Sequence, residues 1–429
     1  METVTKPGYK HTELGWIPED WDLRSYCDLF SFLSTATYSR ADLQDDQEIR
    51  YIHYGDIHTK YDFHLDILNS NLPSISNNKL KAYSLLQEGD LVMADASEDY
   101  DGVGKSIEIN NVGNRKVISG LHTFLLRDYH KRTASGFKGY LHANPFVKKQ
   151  FYELATGMKV FGVSKNNLKK VFIPLPPLHE QTAIATALSD MDRYISSLEA
   201  LIAKKRLIKQ GAMQELLTPK EDWEMRKFGE VFNISGGYSA SRDQLSNEGY
   251  CYLHYGDIHG SNKSYVNVEN EYGNIPKLNI GLAKISSKSL LKNGDIVFVD
   301  ASEDMDGVSK FIVVENHPEI PFISGLHTIV AKSKTEFLDL NYKKYCFQAK
   351  YIKEQFQYFA VGTKVSGVSK SSVKQIDLYF PKMEEQIEIG KILSSMDNEI
   401  HNINNKLSKA LLLKQGMMQE LLTGRTRLI

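Results

Sequence analysis

The residues best able to do chemistry come in duplicate. Tyr51–His58 reads YIHYGDIH, and Tyr252–His259 reads YLHYGDIH. Each octet holds two imidazoles, two phenols and a carboxylate, groups that donate and accept hydrogen bonds near neutral pH. His53, Tyr54 and His58, with His254, Tyr255 and His259, could therefore meet phosphates or base edges. His122 and His327 are further candidates for DNA contact, and a metal would need one of them as a further ligand. The plainest alternative is a polar strand end satisfied by internal hydrogen bonds.

A second pair follows the same logic. Gly157–Lys165 (GMKVFGVSK) returns as Gly362–Lys370 (GTKVSGVSK). Glycine lets backbone N–H groups approach a phosphate closely, and Lys159, Lys165, Lys364 and Lys370 add charge, so each loop reads as a backbone clamp. The run Gly102-Val103-Gly104-Lys105-Ser106 resembles a nucleotide phosphate loop, but Asp99 stands where its leading glycine is required. The second copy reads Gly307-Val308-Ser309-Lys310-Phe311, so nucleotide binding is rejected. Lys105 and Lys310 remain candidates for a nucleic-acid phosphate. The acids Asp95, Glu98, Asp99 and Asp101 fit a calcium loop poorly. Ser97 would be its first ligand, and in the second copy Val313 falls where Glu is needed. Turn-forming hydrogen bonds explain most of these acids. Asn144-Pro145-Phe146 lacks the second proline of the amino-methyltransferase tetrad and is replaced by Gln348-Ala349-Lys350. No strand-linked G-x-G-x-x-G and no [Asp/Glu]-x-Lys occurs in the chain. Neither methyl transfer nor cleavage is expected of these residues, and no metal site.

These pairs belong to a near half-length duplication, which means two copies of one fold. Ile118–Thr123 (ISGLHT) returns as Ile323–Thr328, and Lys209–Thr218 (KQGAMQELLT) as Lys414–Thr423. In the first copy, Tyr51–Ile57, Asp90–Ala94, Ser106–Ile109 and Thr123–Leu126 read as strands. The continuous apolar runs Leu91–Ala94 and Ile296–Val299 read as strands buried on both faces. Short helices are expected over Asn144–Leu154 and Ala349–Phe359. Ile184, Leu188, Met191, Ile195, Leu198 and Ile202 follow a 4-3-4-3-4 spacing, and Ile389, Leu393, Met396, Ile400, Ile403 and Leu407 repeat it. This is a helix-pairing seam. Each helix should run about 33 residues, roughly 50 Å. Gly211 and Gly416 inside them suggest a close crossing or bend.

The expected class is α+β: two similar mixed α/β domains joined by two long antiparallel coiled-coil helices, pseudo-two-fold symmetric. The ranges are 1–178, 179–218 for the first helix, 219–383, and 384–429 for the second. The copies differ most between their first two shared motifs, where Thr59–Asp90 faces the longer Gly260–Asp295. Lys60, Tyr61, Asn77 and Lys79, and Lys263, Tyr265 and Lys277, are candidates there for reading bases or holding phosphates.

Composition narrows the class. The 429 residues carry a net charge of −1, which does not advertise nucleic-acid binding, but the charge is unevenly spread. Lys148–Lys170 holds six lysines against Glu153, whereas Arg40–Asp101 holds thirteen acids and five bases. Attraction to phosphates is local, over a Debye length of about 8–10 Å, so a basic stripe in a neutral protein suffices. No run of apolar residues is long enough to span a membrane, and the amino-terminal residues do not resemble a signal peptide. The three cysteines (Cys27, Cys251, Cys346) form no CxxC pair, so a reducing cytoplasm is the default.

With these features in order, the sequence resembles the specificity subunit of a type I restriction–modification system. The resemblance rests on Thr12–Trp21 (TELGWIPEDW), on Ile173–Gln181 (IPLPPLHEQ) before the first long helix, and on the exits Leu216-Leu217-Thr218 and Leu421-Leu422-Thr423-Gly424. The second helix start, Tyr379–Gln386 (YFPKMEEQ), lacks the double proline but keeps Glu-Gln. The resemblance implies two target-recognition domains, each reading one half of a split site in double-stranded DNA. It implies helices that space the domains and dock two methyltransferase subunits, with restriction/translocase subunits beyond. S-adenosylmethionine, ATP and Mg would belong to those partners, and this chain would hold no cofactor. If the domains lie about 34 Å apart, both can address one face of a duplex. The competing expectation is a protein-interaction adaptor with only non-specific nucleic-acid binding.

Overall fold

A computed structural model describes residues 6–428 apart from 46, 80, 305 and 306. Residues 1–5 of the expected non-signal amino terminus, and Met305 and Asp306 of the second acidic motif, lie outside the described residues. The chain forms two compact units, residues 1–199 with 405–429, and residues 200–404. Both boundaries fall within long helices.

In the first unit a five-stranded sheet has the order Ser31–Leu33, Thr123–Arg127, Leu91–Ala94, Ser106–Asn110, His64–Asp66. The last pair is parallel and the others antiparallel. The central strand is apolar throughout because both its faces are covered. Leu91 and Met93 enter one core with Trp21, Tyr26 and Phe151. Val92 and Ala94 enter another with Ile57, Ile107 and Leu125. The second unit repeats this arrangement: Ile296 and Phe298 face Phe228 and Phe356, and Val297 and Val299 face Ile258 and Val330. The octet departs from expectation. Tyr51–Ile57 is not one strand: a strand ends at Ile52, and Tyr54–Thr59 is a helix. Period-2 alternation is too short here to compete with an N-cap, since His53 Nδ1 accepts from Gly55 N at 3.0 Å. His254 does the same for Gly256.

The short helices occur as Pro145–Leu154 and Lys350–Phe359. Asn144, read above against a methyltransferase tetrad, is the N-cap of the first, and Pro145 occupies the position where a missing N–H costs nothing. Asn144 Nδ2 also donates to the Leu422 carbonyl.

The two long helices run Leu178–Leu216 and Met383–Leu421, each of 39 residues, longer than the seam alone indicates. In the first unit, Ile184 and Leu188 pack into the domain core together with Met417, Met418 and Leu421 of the other helix. In the second, Ile389 and Leu393 pack with Ala212, Met213 and Leu216. Ile195, Leu198, Ile202 and Ile403 are buried, while Met191, Met396, Ile400 and Leu407 keep partial exposure. The seam therefore serves both the domain and the neighbouring helix.

Polar locks fix the antiparallel register inside each unit. Asp192 accepts from Tyr140 Oη at 2.7 Å and pairs with Lys414. In the second unit Asp397 accepts from Tyr345 Oη at 2.7 Å and pairs with Lys209 at 2.5 Å. Gly211 and Gly416 do not mark a close crossing: a Cβ at either would meet no atom within 4 Å.

Three of the motifs behind the resemblance, Thr12–Trp21, Ile173–Gln181 and Leu421–Gly424, converge in the first unit. Glu180, fully buried, accepts from Trp21 Nε1 at 2.9 Å and takes Arg427 through two nitrogens at 2.7 and 2.8 Å. Gln181 ties the helix start to the carbonyls of Pro176 and Arg132 and to Ala134 N. Gln386 does the equivalent with Pro381, Phe337 and Asp339. Gly424 ends the second long helix at φ +70°, and a Cβ there would lie 2.5 Å from Pro18.

Candidate nucleic-acid interface

Each unit assembles one polar cluster beside the end of its central strand. In the first, Tyr54 lies 4.7 Å from the His53 ring and edge-on to His122 at 5.4 Å and His58 at 6.5 Å. His122 Nδ1 meets Asp95 Oδ1 at 3.2 Å. In the second, Tyr255 lies 4.5, 5.5 and 6.2 Å from His254, His327 and His259. His327 Nδ1 meets Asp300 Oδ1 at 3.3 Å.

The members differ in availability. His53 and His254 are buried caps whose protonation is opposed by burial and then by Arg40 and Arg242, so their pKa values are lowered. His58 and His259 spend Nε2 on the carbonyls of Ala96 and Ala301. His122 and His327 are exposed, and no hydrogen bond uses their Nε2 among the described residues. Both also adopt φ near +57°, a conformation unfavourable to any side chain but tolerated here in both copies. Beside a carboxylate, Nδ1 carries the proton. Nε2 then accepts in the neutral ring and donates in the charged one, which suits a base amino group or a phosphate respectively. Burial raises the Asp95 pKa against the pull of His122.

The lysine loops join the same clusters. Phe161-Gly162 pairs with Ala96-Ser97, and Val163 N donates to the Asp95 carbonyl at 2.9 Å. In the second unit Ser366-Gly367 pairs with Ala301-Ser302, and Val368 N donates to Asp300. Lys159, Lys165, Lys364 and Lys370 are all exposed, and Lys165 rests over the Phe32 ring at 4.7 Å. The acidic motif is a turn, as its plainest reading holds: Gly102 N donates to Asp99 at 2.6 Å and Asp99 N to Ser97.

Other candidates sit elsewhere in the hydrogen-bond network. Lys105 Nζ donates to the His58 carbonyl at 3.1 Å, and burial lowers its pKa. Exposed Lys310 donates to the His259 carbonyl at 2.7 Å. These lysines cap the octet helix, a role that the motif alone does not reveal. Lys60 pairs with Asp56, Lys79 with Asp42 and Lys263 with Glu271, while Asn77 donates to Glu48. Tyr61 is half-buried, its hydroxyl pushed up to about 12 by burial; Tyr265 is half-buried too. Lys277 is a correction. It is buried, its ammonium turned onto the carbonyls of Tyr272 and Ile275, so it does not offer its charge to a phosphate.

Sequence reasoning missed Arg40 and Arg242. Arg40 grips Asp56 with two nitrogens, each at 3.0 Å, and Arg242 holds Asp257 at 2.8 Å. Burial alone would raise the Asp56 pKa, but hydrogen bonds from Arg40 and Lys60 outweigh it and hold it low. The signal was a Ser-Arg pair before each octet, masked because the spacing to the aspartate is 16 residues in one copy and 15 in the other.

Each of the two domains thus presents one such cluster. The chain belongs to the type I restriction modification DNA specificity domain family, whose model matches residues 18–206 and again 220–412. It is 25% identical over 448 residues to the putative type I restriction enzyme MjaX specificity subunit of Methanocaldococcus jannaschii, covering 100% of this chain and 98% of that protein. The MjaVIII specificity subunit of the same organism is 24% identical at the same coverage. Among solved structures, the S subunit of a type I system from M. genitalium has a TM-score of 0.50 at 15% identity, covering 97% of this chain and 99% of its own. A chain from a structure of type I system assembly and conformational transition scores 0.59 at 14% identity, covering 96% and 99%. The protein is thus a specificity subunit, non-catalytic, with the mixed α/β fold of its neighbours. No helix among the described residues is long and apolar enough to cross a membrane.

Proposed function

We propose that this subunit reads an interrupted duplex site, one half per unit, and docks two modification subunits on its paired long helices. Restriction/translocase subunits join through that complex, which works in the cytoplasm. S-adenosylmethionine, ATP and Mg are held by the partner subunits. The reading is carried by one observation: an exposed histidine at positive φ, backed by a carboxylate and flanked by a lysine loop, occurs in both units. Two equivalent contact sets suit two half-sites, and the differing residues around them supply two vocabularies.

The test uses the chain purified with its modification subunit. Methylome sequencing of cells carrying the intact system should return one split motif. Replacing Lys60 and Tyr61 should change the bases tolerated in one half only. Equal binding to all duplexes would favour the non-specific adaptor. Methyl transfer by this chain alone would overturn the assignment of chemistry to its partners.

A further inference from the structure

The first unit carries an apolar tip that neither its core nor its contact cluster uses. Residues 156–160 are exposed, with Met158 at 96% and Val160 at 54%. The tip is built, not slack. Thr156 and Gly162 exchange backbone hydrogen bonds at 3.1 and 2.9 Å, closing the turn. Gly157 sits at φ +140°, where a Cβ would come 1.8 Å from the Val160 carbonyl, so only glycine allows the turn. At its base the Phe161 ring lies 3.9 Å from Tyr100, whose ring is edge-on to Tyr152 at 6.3 Å.

A methionine this exposed has no role in folding. Its immediate neighbour is exposed Lys159, and Lys165, Lys169 and Lys170 follow within the next twelve residues, all exposed. An exposed apolar side chain with a lysine beside it complements a polyanion with an apolar interior reachable from a groove, although Asp99 and Asp101 flank Tyr100 at the base of the tip. Stacked base pairs fit that description; a protein surface would have to be acidic as well as apolar. Methionine, unbranched and polarisable, conforms to the flat face of a base. Apolar wedges of this kind unstack a base step and kink the duplex.

We propose that Met158 is a wedge that enters between adjacent base pairs of duplex DNA, with Lys159 on a flanking phosphate. This rests on the DNA-reading function above and adds deformation of the target to it. The second unit lacks the methionine: Thr363 and Ser366 replace Met158 and Phe161, while Val361 and Val365 are exposed there at 81% and 52%. Its glycine turn is kept, with Gly362 at φ +149°. A methionine wedge is therefore available to the first unit alone.

The experiment uses the full chain with its modification subunit and duplexes carrying the methylated motif, with 2-aminopurine placed at successive positions. Wild type should brighten the probe at one step of one half-site. Met158→Ala should abolish that signal and weaken binding about tenfold, and Met158→Leu should restore both. A mismatch at the step prepays the unstacking, so it should shrink the Met158→Ala defect to under about threefold. Sequence-specific binding with no brightened position, or a Met158→Ala defect unchanged by the mismatch, would overturn the wedge while leaving DNA reading intact. Weakened assembly with the modification subunit and an unchanged DNA signal would reassign the tip to a protein contact. Loss of all sequence preference in wild type would instead sink the underlying reading.

Discussion

Replacing Asp192 by Asn tests what sets the register of the helix pair. Asp192 bridges its own domain, through Tyr140, and the opposite helix, through Lys414. The Lys414 side chain is only 11% exposed and its ammonium lies 4.2 Å over the Phe63 ring, whereas Asp192 is 31% exposed. Breaking a fully buried pair costs about 3–5 kcal/mol, because the remaining charge is stranded. Water around Asp192 discounts that figure, so Asp192→Asn should cost about 2–3 kcal/mol. Lys414→Met keeps the packing over Phe63 and leaves a carboxylate that water and Tyr140 still serve, so it should cost about 1 kcal/mol. The double variant should cost less than the sum, with a coupling of at least about 1 kcal/mol. Two units in one chain do not melt as a single two-state system, so the readout is amide hydrogen exchange over 185–195 and 410–418. Additivity within about 0.5 kcal/mol would refute the bridge. Asp397→Asn should produce a parallel but smaller effect in the second unit, since Lys209 is 19% exposed.

His142 gives a pH test. Burial, followed by the charge of Lys105, pushes its pKa down to about 3, and its counterpart in the second copy is Phe347. Unfolded, the ring takes a proton near pH 6.5. Between those values the unfolded state binds more protons, so stability falls as pH drops, by up to about 1.4 kcal/mol per unit. His142→Phe should gain about 2 kcal/mol relative to wild type between pH 7.5 and 5, measured by urea unfolding of the first unit; a pH-independent difference would contradict the burial. Gly211→Ala and Gly416→Ala should each stabilise the helices by about 0.5–1 kcal/mol, because the new methyl meets open space. Lower thermal stability of these variants in calorimetry would show that the open space is not real. Gly157→Ala should disorder the tip, seen as faster exchange at 157–162, without lowering protection of the strand Leu91–Ala94.

Much of the architecture is legible in the sequence. The apolar runs Leu91–Ala94 and Ile296–Val299 predict strands covered on both faces because period 2 sends their side chains alternately into two cores. The seam spacing predicts helices because 3.6-residue periodicity survives any change of partner. The misreadings have local causes. His53-Tyr54-Gly55 reads as extended because aromatic and β-branched residues dominate the window, while the cap that starts the helix is an imidazole, not the usual hydroxyl or carboxylate. Gly211 and Gly416 suggest close approach because a glycine repeated in both copies points to a packing need, yet open space surrounds both. Lys105 and Lys277 read as available because a sequence displays charge but not the carbonyls that absorb it. Arg40 is invisible because its partner lies across a loop of unequal length in the two copies.

Duplication also separates what holds DNA from what reads it. His122 and His327 share backbone strain, carboxylate partner and aromatic support, so the two contacts are chemically the same. Identical groups cannot by themselves distinguish two different half-sites; they suit the element common to every half-site, the phosphate backbone. The residues around them do differ: Lys60 beside Asp56 against Ser261 beside Asp257, Met158 against Thr363, Phe161 against Ser366. Replacing both histidines with Gln should therefore weaken binding by a similar factor on matched and mismatched duplexes. A change in the methylated motif would show that the imidazoles read bases after all.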